Sequence, residues 1–378
     1  MSFFNMDSSL DIGIDLGTAN TLIYLRGNGL VLNEPSILAC ERDTGNVLAF
    51  GDEALAMHEK LHYGIITIKP ISRGVITDYA SIIKLTKAFL HKVKKNYFFG
   101  IHRLVISIPL GITEVGKKAV FDVAEHLNAK ETFLIAEPIA TAIGIGLNPF
   151  EAAGNMIVNI GAGTTEIAVL SLGGIVTGES LPVAGNDVND RIFRSIRDSY
   201  NVVVSDHVIE KIKIDIVSHD KDVSIGVGGL NIETGLPEIL DIESSVIRKA
   251  MSIPIAQMIS SLKRHIESLV NKPDLAVDIL KHGIYLTGGG ALTYGLDEKV
   301  ENETNISVNL PDDPLTSVIM GIGTILDDIK KYRPLLATNA RKKKWSSDAE
   351  STFAGLKAEL NKESNSDDFD SEPTREAL

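Results

Sequence analysis

The sequence predicts an α/β protein built from two similar halves. Predicted strands alternate with predicted helices along the chain, and one strand-turn-strand pattern occurs twice. The length agrees, because 378 residues suffice for two domains or one large bilobed domain at roughly 150 residues per domain. With 44% hydrophobic and 23% charged residues, the composition is that of an ordinary globular protein with a sizeable core.

The repeated pattern is a strand, a glycine-containing turn and a second strand. Its first copy spans residues 11–25 and its second copy spans residues 156–170. Aligning Asp15 with Asn159 gives an offset of 144 residues, which is near half of the chain that precedes the acidic C-terminal segment. An internal repeat of this length predicts two similar lobes that face each other.

The other elements follow from hydrophobic periodicity. A strand is predicted at residues 105–109, where it ends at a proline. Helices are predicted at residues 113–127, 187–200, 245–270 and 294–300. Their alternation with strands completes the α/β assignment.

Charge and cysteine content exclude several classes of protein. The net charge of -13 argues against broad nucleic-acid binding through phosphates, so we expect no nucleic-acid partner. Cys40 is the only cysteine, which excludes a disulfide framework or a cysteine-based zinc site within one chain. Neither a run of 18 apolar residues nor a signal-peptide pattern occurs, and we expect a cytoplasmic protein.

The C-terminal segment differs from the rest in composition. Residues 346–378 contain nine acids and three bases and are rich in serine, which predicts disorder. The basic cluster at residues 341–345 before it is predicted to be a solvated linker.

The two turns of the repeat are predicted to hold phosphates. Glycine lets the backbone approach a ligand closely, and consecutive N–H groups in a turn form a concavity that suits phosphate. Asp15, at the end of the first strand, is a candidate ligand of hydrated Mg²⁺. Two such turns facing each other would hold a triphosphate from both sides. The candidate residues of the turns are Gly17, Thr18, Ala19, Asn20, Gly161, Ala162, Gly163 and Thr164.

A third glycine cluster follows the apolar strand at residues 284–287. Bare backbone at this bend would let a flat base or a ribose lie against it. The alternative is a strand-to-helix turn that needs a positive φ. The candidate residues are Gly288, Gly289, Gly290, Ala291 and Leu292.

Two rival motifs point to other chemistry. Residues 111–118 nearly match a P-loop, but Lys118 stands where a serine or threonine hydroxyl should bind Mg²⁺, and the stretch continues as an amphipathic helix. Residues 58–62 match H-E-x-x-H, whose histidines would share one helix face and bind zinc. Because no third ligand follows, we do not expect a zinc protease.

The segment Asp15–Thr21 resembles the first phosphate motif of the actin/hexokinase/heat-shock chaperone superfamily and, more narrowly, of the MreB family of bacterial actin homologues. Four further segments resemble that family in order and spacing: residues 109–113, 137–144, 161–166 and 286–292. The ordered set is specific, although no single motif is.

The resemblance, which runs from about Leu10 to Arg333, implies a duplicated actin-like (ribonuclease H-like) fold with two lobes around a central nucleotide cleft. The implied divisions are an N-terminal extension at 1–10, lobe I at 11–145, lobe II at 146–333 with its last helices returning toward lobe I, and the linker and acidic tail at 334–378.

The resemblance also implies an ATPase that closes on Mg-ATP. Glu137 matches the position that orients the attacking water, although such an acid could instead stabilise a helix dipole. Glu210 and Lys213, three residues apart on a predicted helix, would lie near the ribose and base, or form a surface ion pair. Asn159 and Ala162 stand where the family usually has aspartate and glycine, so we expect slower Mg-dependent hydrolysis.

Members of this family form filaments, often on the inner membrane face, that organise cell-wall (peptidoglycan) synthesis and cell shape or division. The same partners are therefore expected here. Phe98 and Phe99 follow several lysines and suit an anionic lipid surface, although they could instead anchor a buried loop. Phe3 and Phe4 would add a weak second anchor.

Two other functions use the same scaffold. A soluble small-molecule kinase would need a substrate pocket with a general-base aspartate, for which no clear candidate is seen. A chaperone ATPase would need a large peptide-binding domain after the nucleotide lobes, whereas about 45 residues follow Arg333.

Overall fold

The computed structural model describes residues 9–60, 63–94, 100–217 and 223–338. Phe3, Phe4, Phe98, Phe99 and the segment 341–378 discussed above lie outside the described residues. Described residues up to Ala337 belong to one compact unit of strands and helices, which confirms the α/β class. Within the described part, no helix is both long and apolar enough to span a bilayer.

The first half of the chain alternates strands with four helices. Its elements are β1 (Ser9–Leu16), β2 (Asn20–Leu25), β3 (Gly29–Pro35), β4 (Leu38–Glu41), β5 (Val47–Phe50), α1 (Asp52–Met57), β6 (Ile65–Ile68), β7 (Ile71–Ser72), β8 (Val75–Ile76), α2 (Tyr79–Lys94), β9 (Gly100–Ile108), α3 (Glu114–His126), β10 (Glu131–Ala136) and α4 (Glu137–Gly144).

The second half contains longer helices. Its elements are β11 (Asn155–Ile160), β12 (Thr165–Ser171), β13 (Gly174–Leu181), α5 (Gly185–Tyr200), β14 (Val202–Val203), α6 (Asp206–Val217), β15 (Ser224–Asn231), β16 (Pro237–Glu243), α7 (Ser244–Glu267), α8 (Pro273–His282), β17 (Ile284–Thr287), α9 (Leu296–Thr304), β18 (Val308–Asn309), α10 (Ser317–Asp327), α11 (Ile329–Tyr332) and β19 (Ala337–Thr338). Short 3₁₀ helices lie at Ser268–Asn271, Gly289–Leu292 and Arg333–Leu335.

The two main sheets repeat one topology. Their strand orders are β19-β10-β9-β1-β2-β3 and β13-β12-β11-β17-β18. In the first sheet β1 pairs antiparallel with β2 and parallel with β9; in the second, β11 pairs antiparallel with β12 and parallel with β17. The pairs that close the two hairpins, Leu16 with Thr21 and Ile160 with Thr165, keep the offset found in the sequence. The predicted internal repeat is therefore a repeat of structure. Smaller sheets join β5-β4-β6, β14-β15-β16 and β7-β8.

Helices α4 and α10 lie between the two main sheets. Their apolar residues share one buried cluster with Leu22 and Val105 of the first sheet and with Ile157 of the second. The helices cross closely, because a Cβ on Gly144 would lie 1.9 Å from the carbonyl oxygen of Ser317. This packing joins the two sheets through a common core.

Two predicted helices have different bounds in the structure. The helix predicted at 294–300 begins only at Leu296, because Gly295 takes a left-handed φ of 66° as the residue before it. The helix predicted at 245–270 ends at Glu267 and continues as a 3₁₀ turn. The stretch 111–118 enters α3, as its amphipathic pattern predicts, and the side-chain oxygen of Thr113 caps the first turn of this helix.

Candidate functional site

The two glycine turns predicted from the repeat lie against each other. A Cβ built on Gly163 of the second turn would lie 2.4 Å from Oγ1 of Thr18 in the first turn and 2.9 Å from Cα of Arg73. The backbone N–H of Gly74 donates to the same Thr18 oxygen at 3.2 Å. Only glycine permits this approach, because any side chain at position 163 would collide with the opposite turn.

The first turn is fixed through its carbonyl oxygens. Ser36 donates its hydroxyl to the Gly17 carbonyl at 2.7 Å and its backbone N–H to the Ala19 carbonyl at 2.7 Å. Asn20 donates instead to the side chain of Asn33 at 2.8 Å, within the neighbouring strand pair. Ser36 thus binds two carbonyl oxygens of this turn, which a phosphate would repel.

The second turn is fixed in the same way by a different partner. Gly161 and Ala162 accept hydrogen bonds from the backbone N–H groups of Gly185 and Asn186 at 3.1 and 2.8 Å. These donors belong to the N-terminus of α5, and Gly161 also donates to the Thr164 carbonyl at 2.9 Å. In both turns, carbonyl oxygens are therefore held by hydrogen bonds from neighbouring segments of the protein.

Three carboxyl groups lie close together beside the turns. Asp15 is the next-to-last residue of β1 and accepts a hydrogen bond from Ser107 of β9 at 2.6 Å, while Glu137 begins α4 directly after β10. Glu166 of β12 accepts from the Leu110 N–H at 2.7 Å. The parallel strands β1, β9 and β10 bring the first two acids to one edge of the sheet, where ligands of open α/β sheets bind.

The carboxyl groups repel each other in a buried setting. Burial raises the pKa of Glu137 well above its usual value, and the charges of Asp15 and Glu166 raise it further. Burial also raises the pKa of Asp15, against the lowering effect of the Ser107 hydrogen bond. Burial likewise raises the pKa of Glu166, although hydrogen bonds to it oppose that shift. Positive charge brought near these carboxyl groups would reduce the repulsion between them.

The third glycine cluster packs against the end of β11. Gly288 has φ 80°, and a Cβ on it would lie 2.5 Å from Oδ1 of Asn159 and 2.4 Å from the Ile160 carbonyl oxygen. Thr287 donates to the same Asn159 oxygen at 3.4 Å. This turn therefore has the positive φ that the alternative interpretation required, and it also lies beside the second glycine turn.

The other residues of this cluster take different positions. Gly289, Gly290, Ala291 and Leu292 form a 3₁₀ helix, in which Ala291 packs into the core of the second half. Leu292 is largely exposed. The predicted role of Ala291 can thus rest only on its backbone.

The predicted pair on α6 contacts the second turn region. Lys213 Nζ lies 2.7 Å from Glu210 Oε2, which also accepts from Asn189 of α5 at 2.8 Å. The same ammonium group lies 3.7 Å from the position that a Cβ on Gly185 would occupy. The Lys213 side chain is 18% exposed and that of Glu210 is 46% exposed, so the pair lies partly at the surface.

Sequence reasoning missed several residues of this region. Glu166 lies fully buried in a strand of apolar residues, and an acid in such a run was the available signal. Arg73 reaches Asp187 of α5 at 3.4 Å. No local pattern in the sequence indicates this long-range ion pair.

The H-E-x-x-H motif does not form a helical zinc site. Helix α1 ends at Met57, so His58 lies beyond it, and Glu59 has a positive φ of 66°. His62 lies outside the described residues. Across the part of the chain that is described, no three His, Cys, Asp or Glu side chains are grouped to hold a metal ion.

Known proteins resemble this chain over almost all of its described residues. The profile of the MreB/Mbl protein family matches residues 9–334. The chain belongs to the MreB/Mbl family. It is 37% identical over 324 residues to the cell shape-determining protein Mbl of Bacillus subtilis, covering 85% of this chain and 97% of that protein. Identity to the cell shape-determining protein MreB of Escherichia coli K12 is 39% over 332 residues, or 86% and 95% of the two chains.

Solved structures of MreB/Mbl relatives share the fold. MreB5 of Spiroplasma citri bound to ADP has a TM-score of 0.79 and 32% identity, over 86% of this chain and 99% of that one. MreB5 bound to AMPPNP gives the same TM-score and identity. A MamK double helical filament, at 21% identity, has a TM-score of 0.71 over 85% of this chain and 99% of that one and supports the fold alone. The predicted actin-like fold is confirmed.

Proposed function

We propose that this MreB/Mbl protein is an actin-like cytoskeletal ATPase that binds Mg-ATP between its two halves and assembles into filaments. The observation that carries the proposal is the meeting of the two glycine turns at Thr18 and Gly163, beside the carboxyl groups of Asp15 and Glu137. ADP and AMPPNP bound to the related MreB5 support adenine nucleotide as the ligand.

The site residues fit a nucleotide. The phosphates would lie along the N–H groups of the turns at 17–20 and 161–164, whose carbonyl oxygens are tied back by Ser36 and by α5. The ribose and base would lie between Glu210, Lys213 and the bare backbone at 288–292. This placement is supported by the contact of Lys213 with the second turn region and of Gly288 with Asn159.

The residues also fit a divalent cation. The charge of Asp15 raises the pKa of the buried Glu137, and a cation held near these two carboxyl groups would relieve that repulsion. Mg²⁺ commonly uses one or two carboxylates together with substrate phosphates and waters, so it does not need a cage of three protein acids. Bound Mg²⁺ would neutralise charge on the phosphates during transfer.

Glu137 is the proposed catalytic residue. It begins a helix after a strand of the first sheet, faces the carboxyl groups of both halves, and has a pKa raised mainly by burial. A carboxylate with raised proton affinity suits a group that orients water and takes its proton. Asn159, which carries no charge, contributes a hydrogen bond where the family usually places an acid, and we expect this to slow hydrolysis.

The proposed function also includes filaments, membrane attachment and cell-wall partners. The relatives named cell shape-determining proteins support a role in cell shape. We extend that role to peripheral attachment on the inner membrane face through Phe98 and Phe99, and to guidance of cell-wall synthesis or division proteins. Liposomes of anionic and neutral lipid, with Phe98 and Phe99 replaced by serine, would test attachment.

Nucleotide-dependent assembly tests the function. The purified chain is sedimented and imaged by electron microscopy with Mg-ATP, with Mg-ADP and without nucleotide. We expect filaments that depend on adenine nucleotide. A protein that stays monomeric while it turns over ATP only when a sugar is added would instead support the small-molecule kinase.

A further inference from the structure

The H-E-x-x-H stretch joins the two halves of the molecule. Glu59, just after α1, accepts a hydrogen bond through Oε1 from the backbone N–H of Asp206 at 2.8 Å. The two residues are 147 positions apart, and Asp206 is the first residue of α6. An acid from the first half therefore binds an N-terminal N–H of a helix in the second half, where the helix dipole favours negative charge.

The backbone of Glu59 is held in an uncommon conformation. Its φ of 66° lies in the left-handed region, where a glutamate is rarely found. Such outliers persist where surrounding contacts hold them. Here the conformation turns the chain directly after α1 and brings the carboxylate to α6.

The other contacts across this junction are weaker. His207 Nδ1 lies 3.4 Å from Glu59 Oε2, and the Asp206 carboxylate lies 3.7 Å from both His58 and Lys69. Asp206 and His207 are largely exposed, so these ion pairs are screened by solvent. The short hydrogen bond to the backbone N–H is therefore the strongest polar contact between α6 and the first half at this junction.

Helix α6 carries the constraint toward the predicted nucleotide site. Asp206, Glu210 and Lys213 are spaced by four and three residues, so they lie along one face of the helix. Glu210 is bound by Asn189, and Lys213 reaches the region of Gly185. A shift of the α6 N-terminus would thus displace both residues of the predicted ribose and base contact.

We propose that Glu59 is a positioning residue that ties α6 to the first half of the chain and so slows the release of bound nucleotide. This inference rests on the proposed function, because it assigns Glu59 to the same nucleotide site. Glu59 acts through the Asp206 N–H and α6, and it does not touch the ligand.

The test removes the hydrogen bond from either end. Release of a fluorescent ATP analogue is timed by stopped flow for the full-length chain and its variants, in Mg²⁺ and excess unlabelled ATP. Glu59→Ala removes the acceptor, and Asp206→Pro removes the donor. Proline is tolerated as the first residue of a helix, so the second change keeps α6.

Matched controls isolate the hydrogen bond. Asp206→Ala removes the same side chain but keeps the N–H, and Glu53→Ala removes an exposed acid from α1. We expect Glu59→Ala and Asp206→Pro each to speed release about five- to tenfold, the size of an ordinary coupling between sites. Both controls should stay within about twofold of the unmodified chain, and the double variant should release no faster than either single one.

The outcomes separate the two proposals. Equal release rates for Asp206→Pro and Asp206→Ala would overturn the role of Glu59 while leaving nucleotide binding intact. Failure of the unmodified chain to bind the analogue would overturn the proposed function and this inference together. Glu59→Gln keeps an oxygen acceptor and should restore most of the slow release, which a role in folding alone would not explain. If Glu59→Ala does not fold, the proline and alanine variants at Asp206 decide the question.

Discussion

The two glycine turns have the same hairpin geometry, but the side chain that precedes each turn differs in charge. The first follows Asp15, which is held by Ser107 and lies near Glu137. The second follows Asn159, which is held by Thr287 and lies against Gly288. The two turns thus share one geometry, while two of the three clustered acids, Asp15 and Glu137, lie in the first half and one, Glu166, lies in the second. We infer that the first turn handles the cation and that the second mainly holds phosphate.

Glu137→Gln should have the largest effect, because it removes the proposed catalytic acid that lies near Asp15 and the first turn. We expect ATP hydrolysis to fall about a thousandfold, the range for loss of a general base. Phosphate release measured at saturating Mg-ATP checks this. Nucleotide binding should persist, and a variant that hydrolyses at the normal rate would remove Glu137 from the mechanism.

Asp15→Asn makes the first turn resemble the second. We expect the affinity for Mg²⁺ in the presence of nucleotide to fall about ten- to hundredfold, because a carboxylate partner of the metal is lost. Titration of nucleotide binding at several Mg²⁺ concentrations measures it. An unchanged Mg²⁺ dependence would show that the two turns are not chemically distinct.

Gly163→Ala tests the contact between the turns. Its Cβ would meet Thr18 Oγ1 at 2.4 Å and the Arg73 backbone at 2.9 Å, so the turns must separate. We expect a loss of about 1–3 kcal/mol in unfolding free energy, the usual size of overpacking, together with weaker nucleotide binding. Gly228→Ala is the matched control, because nothing lies within 4 Å of its Cβ position. Equal stability of the two variants would contradict close contact of the turns.

Asn159→Asp makes the second turn resemble the first. We expect phosphate release to rise about threefold, since a charged acceptor binds a metal-bound water more strongly than an amide does. An unchanged or lower rate would mean that Asn159 does not limit hydrolysis.

The acid cluster also predicts a small dependence of stability on pH. The pKa of Glu137 is raised in the folded state, chiefly by burial, from an ordinary value of 4.5. Its contribution to stability is therefore present below about pH 4.5 and is lost as the pH rises through the raised value. At neutral pH the nucleotide-free Glu137→Gln variant should melt a few degrees higher than the unmodified chain. Thermal melts at pH 5 and pH 7.5 check this, and a gain that does not shrink at the lower pH would contradict it.

Much of the fold was predictable because it rests on local patterns. The repeat of residues 11–25 at 156–170 gave the two hairpins, and periodicity gave α3 and α5 nearly to their ends. The cross-chain contacts were not predictable in this way. The contacts of Glu59 with Asp206 and of Arg73 with Asp187 join segments that are far apart in the sequence. No local sequence pattern around either residue indicates its distant partner.

The close crossing of α4 and α10 has a mechanical consequence. At Gly144 and Gly321 the two backbones touch without side chains between them, so the helices have no room to slide past each other. Rotation about that point remains the inexpensive motion, as in a pivot. Glu137 is the first residue of α4 and lies seven positions before Gly144 at the crossing. A rotation of one half about the crossing would therefore move the proposed water-orienting acid.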